Sequence, residues 1–94
     1  MNYPKDKFNA LLDTLKLLAA PSRVAILFLL QDSAFAVSDI AGRIKSSQTL
    51  TSHHLGDLTE LGFLEGEKIG RTVKYSLTQK GQVLLSYLVK IGAL

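Results

Sequence analysis

Between Phe63 and Leu77 the sequence changes its period. On either side of Gly70-Arg71, the segments Phe63 to Ile69 and Thr72 to Leu77 alternate, which is the pattern of a β-hairpin closed by a glycine turn. The rest of the 94 residues reads as helix. Phe8, Leu11, Leu12, Leu15 and Leu18 follow i, i+3, i+4, i+7 and i+10, one face of an amphipathic helix that Leu17 widens. Pro21 suits the first position of a second helix, where its missing N–H costs nothing. Val24 and Ile26 to Leu30 make that helix apolar on nearly all sides, so it is expected at the centre.

Phe35-Ala36-Val37 reads as a very short strand or an extended entry to a third helix carrying Ile40, Ala41 and Ile44. Lys45-Ser46-Ser47 is a polar turn, and either serine can cap a fourth helix by accepting from its free N–H groups. That helix offers Leu50, Leu55, Leu58 and Leu61 to the core and stops at Gly62. Thr78 caps a last helix bearing Val83, Leu84, Leu85, Tyr87, Leu88, Val89 and Ile91. The expected fold class is mainly α with a small β-hairpin, a winged helix-turn-helix of order α-α-α-α-β-β-α. One domain spans 1–94, with helices at about 6–19, 21–31, 37–44, 48–61 and 78–92 and a wing at about 63–77.

A short helix, a tight polar turn and a longer helix form a helix-turn-helix when the second helix has a hydrogen-bonding outer face. Ser47, Gln48, Thr49, Thr51, Ser52 and His53 supply such a face near the helix start, the end that enters a major groove. Glutamine pairs with adenine in a bidentate way, and threonine bonds to bases or offers a methyl to thymine. Arg43, Lys45 and Ser46 stand beside this helix as candidate contacts to the DNA backbone. On the wing, Arg71 at the tip with Lys68, Thr72 and Lys74 is suited to phosphate or a narrow minor groove. From Lys68 to Lys80 every charged residue is basic, which suggests a cationic face, although the net charge is only +3.

Hydrophobic residues make up 47% of the chain, more than a single small domain readily buries. Burial against a second copy is the simplest outlet. No apolar run approaches the ~18 residues of a membrane helix, and the start has no signal-peptide architecture, so a cytoplasmic location is expected. There is no cysteine, hence no disulfide framework and no thiolate metal site. His53 and His54 are adjacent and point about 100° apart on a helix, so they do not converge on one ion. A DNA-facing role suits His53, where a charge near phosphate would tighten binding at mildly acidic pH, and a packing role suits His54. No phosphate loop and no nucleophile–base arrangement stands out, so no enzyme and no cofactor is expected.

The sequence resembles the ArsR/SmtB family of winged-helix repressors. Residues 15–27, LKLLAAPSRVAIL, are similar to the family's opening segment, commonly LADPTRLxIL. Residues 47–55, SQTLTSHHL, with Leu58, Leu61-Gly62 and Phe63-Leu64, resemble its recognition helix, and Gly70-Arg71 with Tyr75 its wing. The resemblance implies a homodimer joined through the first and last helices, with Phe8, Leu11, Leu12, Leu15, Leu84, Tyr87, Leu88 and Ile91 at the interface. It further implies double-stranded DNA as partner, with a pseudo-palindromic operator.

Two departures stand out. Ala20 replaces an aspartate before the proline, so one helix cap is lost. Thr51 stands where the family often has a hydrophobic residue, which leaves it either on the DNA face or in the core. The family's cysteine metal motif corresponds to Ala36-Val37-Ser38, and its second metal site needs carboxylates or histidines that Gln79 to Leu94 lacks. Neither metal site is therefore expected, and the effector is left open. The alternative function is a winged-helix module that binds protein without reading DNA.

Overall fold

The computed structural model describes Asn2 and residues 4–93. Among these the order is α1 (Lys5–Leu18), α2 (Pro21–Leu29), β1 (Phe35–Ala36), α3 (Val37–Ile44), α4 (Gln48–Glu60), β2 (Leu64–Ile69), β3 (Thr72–Leu77) and α5 (Gln79–Gly92). Local chemistry accounts for most of the boundaries. Pro21 opens α2, and Ala20 before it makes no side-chain cap bond, as its methyl requires. Ser47 Oγ accepts from the Leu50 N–H at the start of α4, and Thr78 Oγ1 from the Gly81 N–H at the start of α5. α4 ends where the Gly62 N–H bonds the Thr59 carbonyl at 2.9 Å and Gly62 takes φ +87°, which turns the chain back over the last turn. The Phe63 N–H then bonds the Leu58 carbonyl at 3.0 Å.

Two features go beyond the expected hairpin. β1 pairs antiparallel with β3, Phe35 opposite Tyr75 and Ala36 opposite Lys74, so the sheet has three strands in the order β1-β3-β2. Val37 belongs to α3 and not to the strand. The corner between α4 and β2 is also a docking point for α5. The Thr78 N–H bonds the Phe63 carbonyl at 3.0 Å, and Thr78 Oγ1 donates to the Gly62 carbonyl at 2.6 Å. Gly81 lies so close to Phe63 that an added Cβ would fall 2.1 Å from the Phe63 carbonyl oxygen. Only glycine fits there.

The core joins Ile26, Leu27 and Leu30 of the α2 region to Ile40 of α3, Leu55 and Leu58 of α4, Leu64 and Leu77 of the sheet and Leu85 of α5. Phe28 departs from the expectation that α2 is buried all round: its ring is exposed. The exposed area is 6582 Å², against about 5,400 Å² for a folded monomer of this mass. The radius of gyration is 14.2 Å, where compact packing of this length gives roughly 12 Å. α1 accounts for part of that surplus: Phe8, Leu11, Leu12 and Leu15 of its apolar stripe are all exposed, Leu11 and Leu15 by half or more. No helix among the described residues is long and apolar enough to cross a membrane.

Candidate nucleic-acid interface

α4 carries most of the candidate contacts, so its rotation decides which side chains face outward. Thr51, His54, Leu55 and Leu58 are its buried residues, spaced i, i+3, i+4, i+7. Thr51 is 0% exposed and Leu50 is 48% exposed. This corrects two expectations, that Thr51 faces DNA and that Leu50 fills the core. The reason is angular: at about 100° per residue, Thr51 lies about 40° from Leu55, whereas Leu50 lies about 140° away. Opposite the buried stripe are Thr49, Ser52 and His53, with Gly56 among them and Gln48 at the edge, all exposed. Ser47 is exposed too, its oxygen engaged in the cap. The first two turns of α4 therefore present hydroxyls, an imidazole, an amide and the Leu50 side chain.

Behind this face lies a group that the sequence reading passed over. Arg23 of α2 is buried, and its Nε donates to His54 Nδ1 at 2.9 Å. Nη1 donates to the Leu17 carbonyl at the end of α1 at 3.0 Å, and Nη2 is ion-paired with Asp57 Oδ2 of α4. His54 thus has the packing role expected of it, with a specific partner. Its pKa is lowered below 6.5, chiefly by burial and then by the Arg23 guanidinium, with Asp57 opposing and His53 adding slightly. One signal was available: Arg23 is the sole charged residue from Pro21 to Leu30.

The flanking cations are less unified than the sequence suggests. Lys45 closes α3 in the left-handed region at φ 56° and is exposed, with Ser46 half-buried after it. Arg43 is exposed, its guanidinium 4.7 Å from the Phe35 ring centre. On the wing, Lys68, Arg71, Thr72 and Lys74 are all exposed. Lys74, however, pairs with Glu67 and Lys68 with Val73, so the two lysines stand on opposite faces of the hairpin. Lys80 turns away to the Leu61 carbonyl at 2.7 Å and the Phe63 ring. The run of basic residues from Lys68 to Lys80 is therefore not one cationic face; Arg71 at the tip is its outermost member.

Of the residues expected at a dimer interface, Phe8, Leu11, Leu12 and Leu15 of α1 and Tyr87 and Ile91 of α5 are exposed, the last two 60% and 64%. Leu84 and Leu88 instead lean on the chain's own core. Val83, exposed and four residues before Tyr87, completes the outward stripe of α5. Among the described residues no three histidine, aspartate or glutamate side chains gather as metal ligands.

The model of the bacterial regulatory protein arsR family matches residues 20–65, from the start of α2 into β2. The HTH-type transcriptional regulator NmtR of Mycobacterium tuberculosis is 42% identical over 64 residues, covering 68% of this chain and 53% of that protein. The HTH-type transcriptional repressor SmtB of the same organism is 36% identical over 74 residues, covering 79% of this chain and 55% of that protein. The chain thus spans a little over half the length of these two relatives. Among solved structures, the homodimeric winged helix-turn-helix DNA-binding domain of a possible ArsR-family regulator from Mycobacterium bovis superposes with a TM-score of 0.73. It is 31% identical, and the match covers 99% of this chain and 90% of that one. With its winged helix-turn-helix, its helix order and these similarities, the chain belongs to the arsR family of bacterial regulatory proteins.

Proposed function

We propose that the chain is a DNA-binding transcriptional regulator that acts as a repressor in the cytoplasm. The observation that carries this is the outward face of α4. Thr49, Ser52 and His53, with Gln48 beside them, project from a helix start whose opposite side is locked into the core. Such a face enters the major groove with its N-terminal turn leading. Gln48 reads adenine, the hydroxyls read bases or phosphate, and the exposed Leu50 offers an apolar contact to a thymine methyl. Ser47, Lys45, Ser46 and Arg43 border the groove and grip the backbone. The hairpin lays Arg71 and Thr72 at its tip on the flanking backbone or minor groove, with Lys68 and Lys74 on its two opposite faces.

The active species is a homodimer joined through α1 and α5. The surplus of roughly 1,200 Å² of exposed area over a typical monomer, together with the apolar stripes Phe8-Leu11-Leu12-Leu15 and Val83-Tyr87-Ile91, supports this. An area of that order is one protomer's share of a stable interface. Two copies of α4 then read half-sites about 34 Å apart in a pseudo-palindromic operator.

Binding titrations on duplexes selected from a random pool, repeated across salt, test the reading. Tight binding to a two-fold sequence with a salt-dependent affinity is expected. No duplex binding at low salt refutes it and favours a protein-binding module. Sequence-independent binding with a steep salt slope indicates an architectural role instead.

A further inference from the structure

Arg23 ties three helices together at the back of the recognition helix. It bonds the last turn of α1 through the Leu17 carbonyl and α4 through both His54 and Asp57. The geometry fixes a protonation state. His54 Nδ1 accepts from the Arg23 Nε–H, so Nδ1 carries no proton and the neutral ring bears its hydrogen on Nε2. A second proton on the ring would set an N–H against an N–H and a cation against a cation. We infer that His54 is a proton-sensitive positioning residue: its neutral ring holds α4 against α2 and the end of α1, and its protonation loosens that hold and weakens DNA binding. The effect on DNA rests on the function proposed above; the loosening of α4 does not.

The charged groups facing the imidazole are Arg23 from α2 and Asp57 and His53 from α4 itself; α1 contributes the Leu17 carbonyl through Arg23. Asp57 is the element that gives the device a second state. It lies three residues after His54 on the same helix, within side-chain reach. An imidazolium at position 54 competes with Arg23 for that carboxylate, so protonation both breaks one Arg23 bond and challenges another.

The sign is fixed by the direction of the shift. Because folding lowers the proton affinity of His54 below its ordinary 6.5, the unfolded chain takes up the proton first on acidification. The stabilisation is complete above about pH 6.5 and is lost as pH falls through the depressed folded value.

The test compares the protein with His53→Gln, which removes the outward imidazole, and with His54→Asn. An asparagine oxygen can still accept from Arg23 but does not titrate. Affinity for the tightest duplex recovered from a random pool is measured at about pH 7.5 and about pH 5.5 at constant ionic strength. The amide and Arg23 side-chain NMR signals of the free protein are followed over the same range. The protein and His53→Gln are expected to bind on the order of tenfold more weakly at the acid end, and His54→Asn to bind equally at both. In the free protein, the signals of α4 and Arg23 are expected to move together in one titration that His54→Asn abolishes.

A loss of affinity that survives in His54→Asn, or α4 signals that do not move, overturns the inference. Should His54→Asn fail to fold, Asp57→Asn replaces it: removing the carboxylate that favours protonation shifts the titration to lower pH, and an unmoved titration overturns the inference. Absence of duplex binding at either pH refutes the DNA reading alone, and the free-protein titration then decides whether His54 holds α4.

Discussion

Thr51→Val exchanges a hydroxyl for a methyl of similar shape at a position with no solvent access. Thr51 Oγ1 is buried without a hydrogen-bond partner among the described residues, and an unpartnered buried hydroxyl costs about 1–3 kcal/mol by substitution in proteins. Threonine and valine have similar helix propensities, so the change in α4 itself nearly cancels. The added methyl occupies the space of the lost oxygen. We expect stabilisation by about 1–2 kcal/mol. In a domain of this length each kcal/mol moves Tm by about 4–8 °C, so a rise of about 4–16 °C should appear in thermal unfolding followed by circular dichroism. Protein concentration is held fixed, because the Tm of a dimer depends on it. DNA affinity should be unchanged, since the side chain points into the core. A Tm lowered by several degrees would show that the hydroxyl has a partner and refute the energetic argument. Preserved stability with a sharp loss of affinity would refute the rotation of α4.

Four further substitutions probe separate parts of the molecule. Gly81→Ala drives a Cβ to 2.1 Å from the Phe63 carbonyl oxygen; displacing α5 should cost at least about 3 kcal/mol in urea denaturation, and a midpoint near that of the parent would show the corner to be pliable. Arg71→Ala should weaken binding to every duplex and lower the salt slope by about one, whereas Gln48→Ala should relax preference at one base pair by about 1–3 kcal/mol; interchange of these two outcomes would reverse the assignment of helix and wing. Ile91→Asp places a charge on the outward stripe of α5 and is expected to convert dimer to monomer in sedimentation. An unchanged mass would remove α5 from the interface.

How far the sequence revealed this molecule follows from the range of each interaction. The span of α3, the Ser47 and Thr78 caps and the stop at Gly62 depend on residues within four positions of one another, and all were readable. The pairing of Phe35 with Tyr75 spans forty residues and rests on main-chain bonds, to which two side chains give little clue. Gly81 reads as an ordinary helical glycine, because the carbonyl that excludes a side chain belongs to Phe63. Lys68 and Lys74 are close in sequence, yet strand alternation and pairing part them. α4 misled for a different reason. A leucine next to a threonine suggests which one is buried, and here helical geometry overrules polarity.

That inversion extends along the helix. Of the four buried residues of α4, two are polar, Thr51 and His54, and the second is bound to a buried guanidinium. Hydrocarbon contacts alone tolerate small rotations of a helix, whereas the Arg23 fork fixes the direction of His54 and Asp57 together. Such polar anchoring orients the outward face of α4 at some expense of stability, because buried ionic groups are often matched or bettered by hydrocarbon of similar volume. A pair of variants tests this. Arg23→Met alone strands His54 Nδ1 and the Asp57 carboxylate. The loss should be about 2–3 kcal/mol, less than the ~3–5 typical of a fully buried pair, because the Asp57 side chain keeps 29% exposure. Adding His54→Leu removes the second buried polar group and leaves Asp57 to solvent. The double variant is expected to regain most of that stability in urea denaturation while binding DNA more weakly than the parent and without pH dependence. If it is as unstable as Arg23→Met, the network serves stability; if it binds DNA as tightly as the parent, the network does not orient α4.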